Sequence, residues 1–234
     1  MEFSTALYES LLRLVSLDSD LLEIILLSLR VSLTSVFIAA IIGCPLGALL
    51  AVARFPTRHF WINLINAFMG LPPVVVGLVV YLLLSRSGAL GMLELIYTAT
   101  AMIIAQTLLI LPIITALVRQ TIDDLWRLYK YQLVSLGSTT FASIRTLLWE
   151  ARFSLITAIL AGFGRGIAEV GAVLIVGGNI NHSTRVMTTT IALETSKGNL
   201  SLALALGMIL IVLSLLITSA AQIVKRFEPM NRNL

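Results

Sequence analysis

The stretch SLRVSLTSVFIAAIIGCPLGALLAVARF, residues 28–55, decides the fold, because from Val31 to Ala53 it holds no charged residue. A helix crossing a bilayer needs about 20 consecutive apolar residues. This run supplies them without the apolar–polar alternation of a barrel strand. It reads as a membrane helix within a span over 24–53, with Arg30 near one end. The composition agrees: 12% of the 234 residues are charged and the mean hydropathy is +0.99, whereas a soluble domain carries about 25% charge.

Four more spans follow on the same criterion. They cover 60–84, interrupted at GLPPVVVG (70–77), about 95–118 with Gln106 and Pro112 inside, 153–176, and 200–224. The expected fold is an all-α integral membrane protein with about five transmembrane helices, organised as a single transmembrane domain over 1–234. Cys44 has no second cysteine to pair with and sits in an apolar run, so it reads as packing. The opening MEFSTALYES lacks the basic segment of a cleaved signal peptide, so the first span is expected in the mature protein.

Five crossings put the ends on opposite sides. Arg54, Arg58, Arg119, Arg127, Lys130, Arg145, Arg152, Lys225, Arg226 and Arg232 fall on one side, and Arg13, Arg86, Arg185 and Lys197 on the other. Basic residues accumulate on the cytoplasmic side, which predicts an outside N-terminus and an inside C-terminus in the cytoplasmic membrane of a prokaryote. Asp18, Asp20 and Glu23 before the first span are compatible. The net charge of +4 is thereby a topology signal and not a nucleic-acid footprint.

The segment RQTIDDLWRLYKYQLVSLGSTTFASIRTLLWEAR, residues 119–152, is then cytoplasmic and far longer than a minimal helix connection. Thr121 is placed to cap a helix whose first turn holds Asp123 and Asp124. Leu125, Tyr129, Leu133 and Leu136 recur at helical spacing. Gly137 can end that helix in a left-handed conformation, and Ser138 or Thr139 can cap a second, with Phe141, Ile144 and Leu148 on one side. Such a hairpin suits either the lipid surface or a groove in a cytosolic partner.

This loop resembles the coupling loop of ABC-importer permeases, which carries a Glu-Ala-Ala triplet, a downstream Gly and a distal Leu-Pro. Gly137 matches the Gly; Tyr131, Gln132 and Leu133 stand at the triplet, and Trp149 and Glu150 near the Leu-Pro. Residues 28–55 resemble the first core helix of these permeases. LPPVVVGLVVYLLLSRSGALG (71–91) resembles the second helix of oxyanion importers, and GIAEVGAVLIVGGNINHSTRVMTTTIALET (166–195) resembles the tungstate branch closely, beside molybdate and sulfate permeases. The resemblance covers about 25–224. It implies a type I importer-like permease for an oxyanion, tungstate before molybdate or sulfate. It also implies a homodimer, two cytosolic ATPase subunits and an extracytoplasmic binding protein.

The chain has no G-x-x-x-x-G-K-[ST] phosphate loop, so the permease is expected to be no enzyme and to hold no cofactor. ATP and magnesium then belong to the ATPase partner. The ATPase contact is expected over 131–141, at Tyr131, Gln132, Leu133, Ser135, Leu136, Gly137, Ser138 and Phe141. Pro72 and Pro73 break the second span, since proline lacks an N–H and clashes with the preceding turn, and they read equally as a pathway gate or a packing kink. Gln106 and Pro112 read as packing.

Arg165 and Glu169, one turn apart in an apolar run, read as a pair on one helix face, as a pair between helices or across a dimer, or as a cation offered to a passing anion. A structural or gating pair is the favoured reading, although Arg before Glu opposes the helix dipole. Asn179, Ser183, Thr184 and Arg185, with Thr188, Thr189 and Thr190, form an outer polar loop, read first as a binding-protein contact and second as oxyanion donors. No His or Cys cluster surrounds His182, so no metal site is expected.

An intramembrane hydrolase and an ATP-independent transporter are the alternatives from other classes. An intramembrane hydrolase needs a nucleophile and base at membrane depth, but His59 and His182 lie outside the spans and no Asp lies inside one. An ATP-independent anion channel or secondary transporter needs no large docking loop.

Overall fold

A computed structural model of the chain describes residues 8–10 and 19–226; Arg13, Asp18 and Arg232, used above for orientation, lie outside them. The order is α1 (Ser19–Val52), α2 (Arg58–Met69), α3 (Pro73–Leu84), a 3-10 turn (Gly91–Leu93), α4 (Ala99–Ser135), α5 (Thr140–Glu150), α6 (Arg152–Ile167), α7 (Gly171–Gly177), α8 (Met187–Ser196) and α9 (Leu200–Arg226). No strand occurs among the described residues. Helices α1, α4 and α9 are each long and apolar enough to cross a membrane. The pairs α2–α3, bent by 102°, and α5–α6, bent by 75°, raise the count to five if each is one crossing.

The second span therefore breaks where the prolines predict. Pro72 is extended at ψ 124° and Pro73 occupies the first position of α3, where a missing N–H is no loss because that donor has no helical partner. Two expectations need correction. Thr121 caps nothing: α4 runs 37 residues without a break to Ser135. No glycine or proline interrupts it between Pro112 and Gly137, so propagation, one hydrogen bond per added residue, outcompetes a new start. The expected span over 153–176 is also not one helix. It ends at Ile167, and a break precedes the separate α7.

By packing, the chain divides into two compact units. The first comprises Met1–Ser35, Pro72–Gln106 and Arg165–Leu216; the second comprises Val36–Leu71, Thr107–Gly164 and Ile217–Leu234. In the second unit Val36, Ala39, Ile110, Ile114, Ile122 and Leu147 are buried in one apolar core. Close approach of α1 and α4 requires glycine there: a Cβ on Gly47 would lie 2.6 Å from the Thr115 carbonyl oxygen. Small residues of this kind let membrane helices meet backbone to backbone. Arg58 donates through Nε to the Leu50 carbonyl at 2.6 Å and through Nη2 to that of Ala51 at 3.2 Å, covering acceptors at the end of α1.

In the first unit Met102 and Ala105 of α4, Val173 and Val176 of α7, and Leu206 of α9 are buried. Helix α3 lies directly on α7, and a Cβ on Gly77 would stand 2.7 Å from the Ala172 Cα. Gly70, by contrast, only ends α2, and a Cβ on it would meet the Ala67 carbonyl oxygen at an ordinary 3.6 Å.

Candidate functional site

The α6–α7 break answers why an apolar run carries Arg165 and Glu169. Arg165 lies in the last turn of α6, and Glu169 lies beyond its end. Arg165 Nη1 donates to Glu169 Oε2 at 2.6 Å, with side-chain exposures of 40% and 4%. The second carboxylate oxygen accepts the Ala172 N–H at 3.3 Å, in the first turn of α7. The dipole objection raised by the sequence thus disappears. The cation stands at one helix's C-terminal end and the carboxylate at the next helix's N-terminal end, each the favourable location. A buried carboxylate needs such partners, because desolvation otherwise drives it neutral.

Three further contacts hold the break. The Glu169 N–H donates to the Gly166 carbonyl at 3.0 Å. The Thr188 hydroxyl donates to the Glu169 carbonyl at 2.7 Å. Gln106 Nε2 donates to the Gly166 carbonyl. Of these, sequence reasoning left Gln106 as mere packing; an amide in the middle of an apolar span was the available signal. The first turn of α3 also reaches the site, since a Cβ on Gly171 would lie 2.8 Å from Val74 Cγ2 and 3.8 Å from Glu169 Oε1. The structure therefore brings the helix that Pro72 and Pro73 begin to the Arg165–Glu169 break.

The polar loop 178–186 is largely self-satisfied. Asn179, at φ 51°, accepts the Thr189 hydroxyl at 2.9 Å through its side-chain oxygen. Thr184 is buried, donates to the Gly177 carbonyl and accepts the Ile180 N–H at 3.0 Å. Thr190 donates to the Val186 carbonyl at 2.7 Å, and the Thr189 hydroxyl oxygen accepts the Val186 N–H at 3.2 Å. These hydroxyls brace the loop. Ser183 is exposed, Arg185 is half-buried with its Nε unpaired, and His182 Nδ1 lies 2.7 Å from Glu23 Oε2 on α1. That carboxylate's hydrogen bond raises the His182 pKa above its ordinary value. Among the described residues no group of three or more metal-binding side chains stands together.

At the far end of α4, Gly137 adopts φ +68°. The Ser138 N–H donates to the Leu133 carbonyl at 3.0 Å and the Gly137 N–H to that of Val134 at 3.0 Å, the paired closure of a Schellman motif. Thr139, and not Ser138, caps α5, accepting the Ala142 N–H at 3.3 Å. Ser138 instead accepts from Ser143 at 3.1 Å. Tyr131, Leu136 and Phe141 are about four-fifths exposed at 79%, 82% and 78%, and Gln132 and Ser135 are exposed beside them. Of the expected contact set, Leu133 turns inward, packing against the core with Ile144 and Leu148, and Ser138 is likewise half-buried. Phe141, Ile144, Leu148, Trp149 and Pro45 line an open groove alongside.

Residues 43–227 match the family described as binding-protein-dependent transport system inner membrane component. The chain is 40% identical to the tungstate uptake system permease protein TupB of Peptoclostridium acidaminophilum, over 88% of this chain and 90% of that one. It is 40% identical to a probable anion ABC transporter permease protein of Haloferax volcanii, over 83% and 86%. A sulfate transport system permease protein, CysT of Salmonella typhimurium, is 28% identical over 80% and 72%.

Proposed function

Because this chain belongs to the family of binding-protein-dependent transport system inner membrane components, we propose that it is the membrane-spanning subunit of an ATP-driven importer of an oxyanion, tungstate before molybdate or sulfate. The observation that carries the mechanism is the exposed apolar turn at Gly137, where α4 closes and α5 begins. This turn is the contact for a separate ATPase chain, through Tyr131, Gln132, Ser135, Leu136 and Phe141. The substrate reading is supported by 40% identity to a tungstate permease against 28% to a sulfate permease.

Two copies of the chain enclose the pathway, two ATPase subunits grip the inner turns, and a binding protein delivers the anion to the loop holding Asn179, Ser183, Thr184 and Arg185. The N-terminus is outside and the C-terminus inside, as the distribution of Arg and Lys supports. The Arg165–Glu169 pair, with α3 beginning at Pro73 beside it, forms the gate. Helix α6 starts two residues after α5 ends and carries Arg165 in its last turn, so displacement of α5 is carried along one helix to that pair. Selectivity resides in the binding protein, since a gate that must release an anion gains nothing by holding it tightly.

Reconstitution in vesicles with the cognate ATPase and binding protein tests this. Labelled tungstate should enter only with ATP, and unlabelled tungstate should compete better than sulfate at equal concentration. Uptake without the ATPase would remove the importer reading, and a sulfate preference would remove the substrate assignment.

A further inference from the structure

We propose that Gln106 is a positioning residue for transport, acting through the Arg165–Glu169 pair; this rests on that pair's gating role. Gln106 is 3% exposed in the interior of α4. Its side-chain oxygen lies 3.2 Å from the Ser35 hydroxyl, whose single proton is nearer the Val31 carbonyl at 2.7 Å. Its amide nitrogen faces Ser32 Oγ at 3.4 Å and the Gly166 carbonyl oxygen. Only an N–H can face a carbonyl oxygen, so the Gly166 contact fixes the amide's orientation.

The Gly166 carbonyl is the one atom that both Gln106 and the Glu169 N–H address. It lies one residue after Arg165, where α6 ends. Holding it sets the turn that brings Glu169 back to Arg165 and to the Ala172 N–H. A small, partly open cavity of about 10 Å³ adjoins this point, bordered by Ser28, Ser32, Gln106, Gly166, Glu169 and Thr188 on its polar side and by valine and isoleucine side chains elsewhere. It has room for about one water at most. Loss of the amide therefore leaves the buried Gly166 carbonyl with at most one water to replace it. An apolar span that merely needed filling would be served by leucine or methionine without the burial cost of an amide. The amide nitrogen's contacts with Ser32 of α1 and with the Gly166 carbonyl tie α1, α4 and the α6–α7 break together at the pair.

The test uses the complete complex with its ATPase and binding protein. Gln106→Leu should keep the ATPase attached yet lower tungstate uptake at saturating anion about tenfold, the loss of roughly one hydrogen bond to a buried carbonyl. A cycle of thermal midpoints with Glu169→Gln separates positioning from general packing. The Gln106→Leu and Glu169→Gln shifts in Tm should fail to add by about 2 °C or more. Normal uptake in Gln106→Leu, or additive shifts, would overturn the proposal. Should Gln106→Leu not assemble, Gln106→Met, of similar length but without donors, carries the same two measurements. Arg165→Ala run in parallel distinguishes the failures. If it transports normally, the gating role falls while the Tm cycle still judges the coupling; if only Gln106→Leu transports normally, positioning alone falls.

Discussion

Arg58 Nη2 lies 3.3 Å from Asp123 Oδ1, joining the start of α2 to the middle of the continuous α4. The same guanidinium covers two carbonyls at the end of α1, and Asp123 also accepts from Arg127 at 2.9 Å. One planar fork thus serves three helices, a task its fixed geometry suits and an ammonium does not.

Arg58→Ala should therefore destabilise the protein by about 1–3 kcal/mol, through orphaned acceptors more than lost attraction, since both partners are only partly buried. Arg58→Lys should recover less than half of the loss. Thermal unfolding of the detergent-solubilised chain measures both, and a Lys variant equal to the parent would show that the fork geometry is unimportant.

Arg165→Ala leaves the Glu169 carboxylate, 4% exposed, without its cation. The cost should reach about 2–3 kcal/mol, below the full buried-pair range because Arg165 is 40% exposed. Transport should be lost, and Arg165→Ala with Glu169→Ala should recover part of it. A correctly inserted double variant that transports no better than the single would count against pairing.

Gly137→Pro should abolish ATPase retention or uncouple hydrolysis from uptake. Proline cannot reach φ +68° and lacks the N–H that bonds to Val134. Gly137→Asn, tolerant of the left-handed conformation, should retain most of the uptake. Co-purification with the ATPase distinguishes the two; a fully coupled proline variant would exclude the turn from the mechanism.

The His182–Glu23 contact should be pH-sensitive. The His182 pKa is raised first by its hydrogen bond to Glu23, with Asp20 adding to the effect and Arg185 opposing it. A histidine raised in the folded state stabilises below its ordinary pKa, near 6.5, and that contribution fades as pH climbs through the raised value. NMR titration of labelled His182 should show the raised midpoint, and Glu23→Gln should return it toward the ordinary value. An unchanged midpoint in that variant would mean the contact does not persist in solution.

Much of the site's framework was legible because its signals are local. A glycine at 137, a threonine at 139 and two prolines at 72–73 each act within a few residues of chain, and each ends or starts a helix where predicted. Thr121 shows the limit. A capping side chain functions only if the preceding helix stops, and nothing between Pro112 and Gly137 makes α4 stop. The threonines after Gly178 show the same dependence on folding: hydroxyls suited to an anion are equally suited to neighbouring carbonyls, and folding places Thr184, Thr188, Thr189 and Thr190 against those.

By itself, then, the sequence determined that this is a helical membrane protein with a glycine-closed hairpin, because apolar run length and cap chemistry depend on neighbours along the chain. Only the tertiary structure decided that Arg165 and Glu169 face each other across a helix break and that Gln106, 60 residues earlier, holds the carbonyl between them. Those facts depend on which distant groups compete for the same buried acceptors, and that competition exists only once the helices have packed.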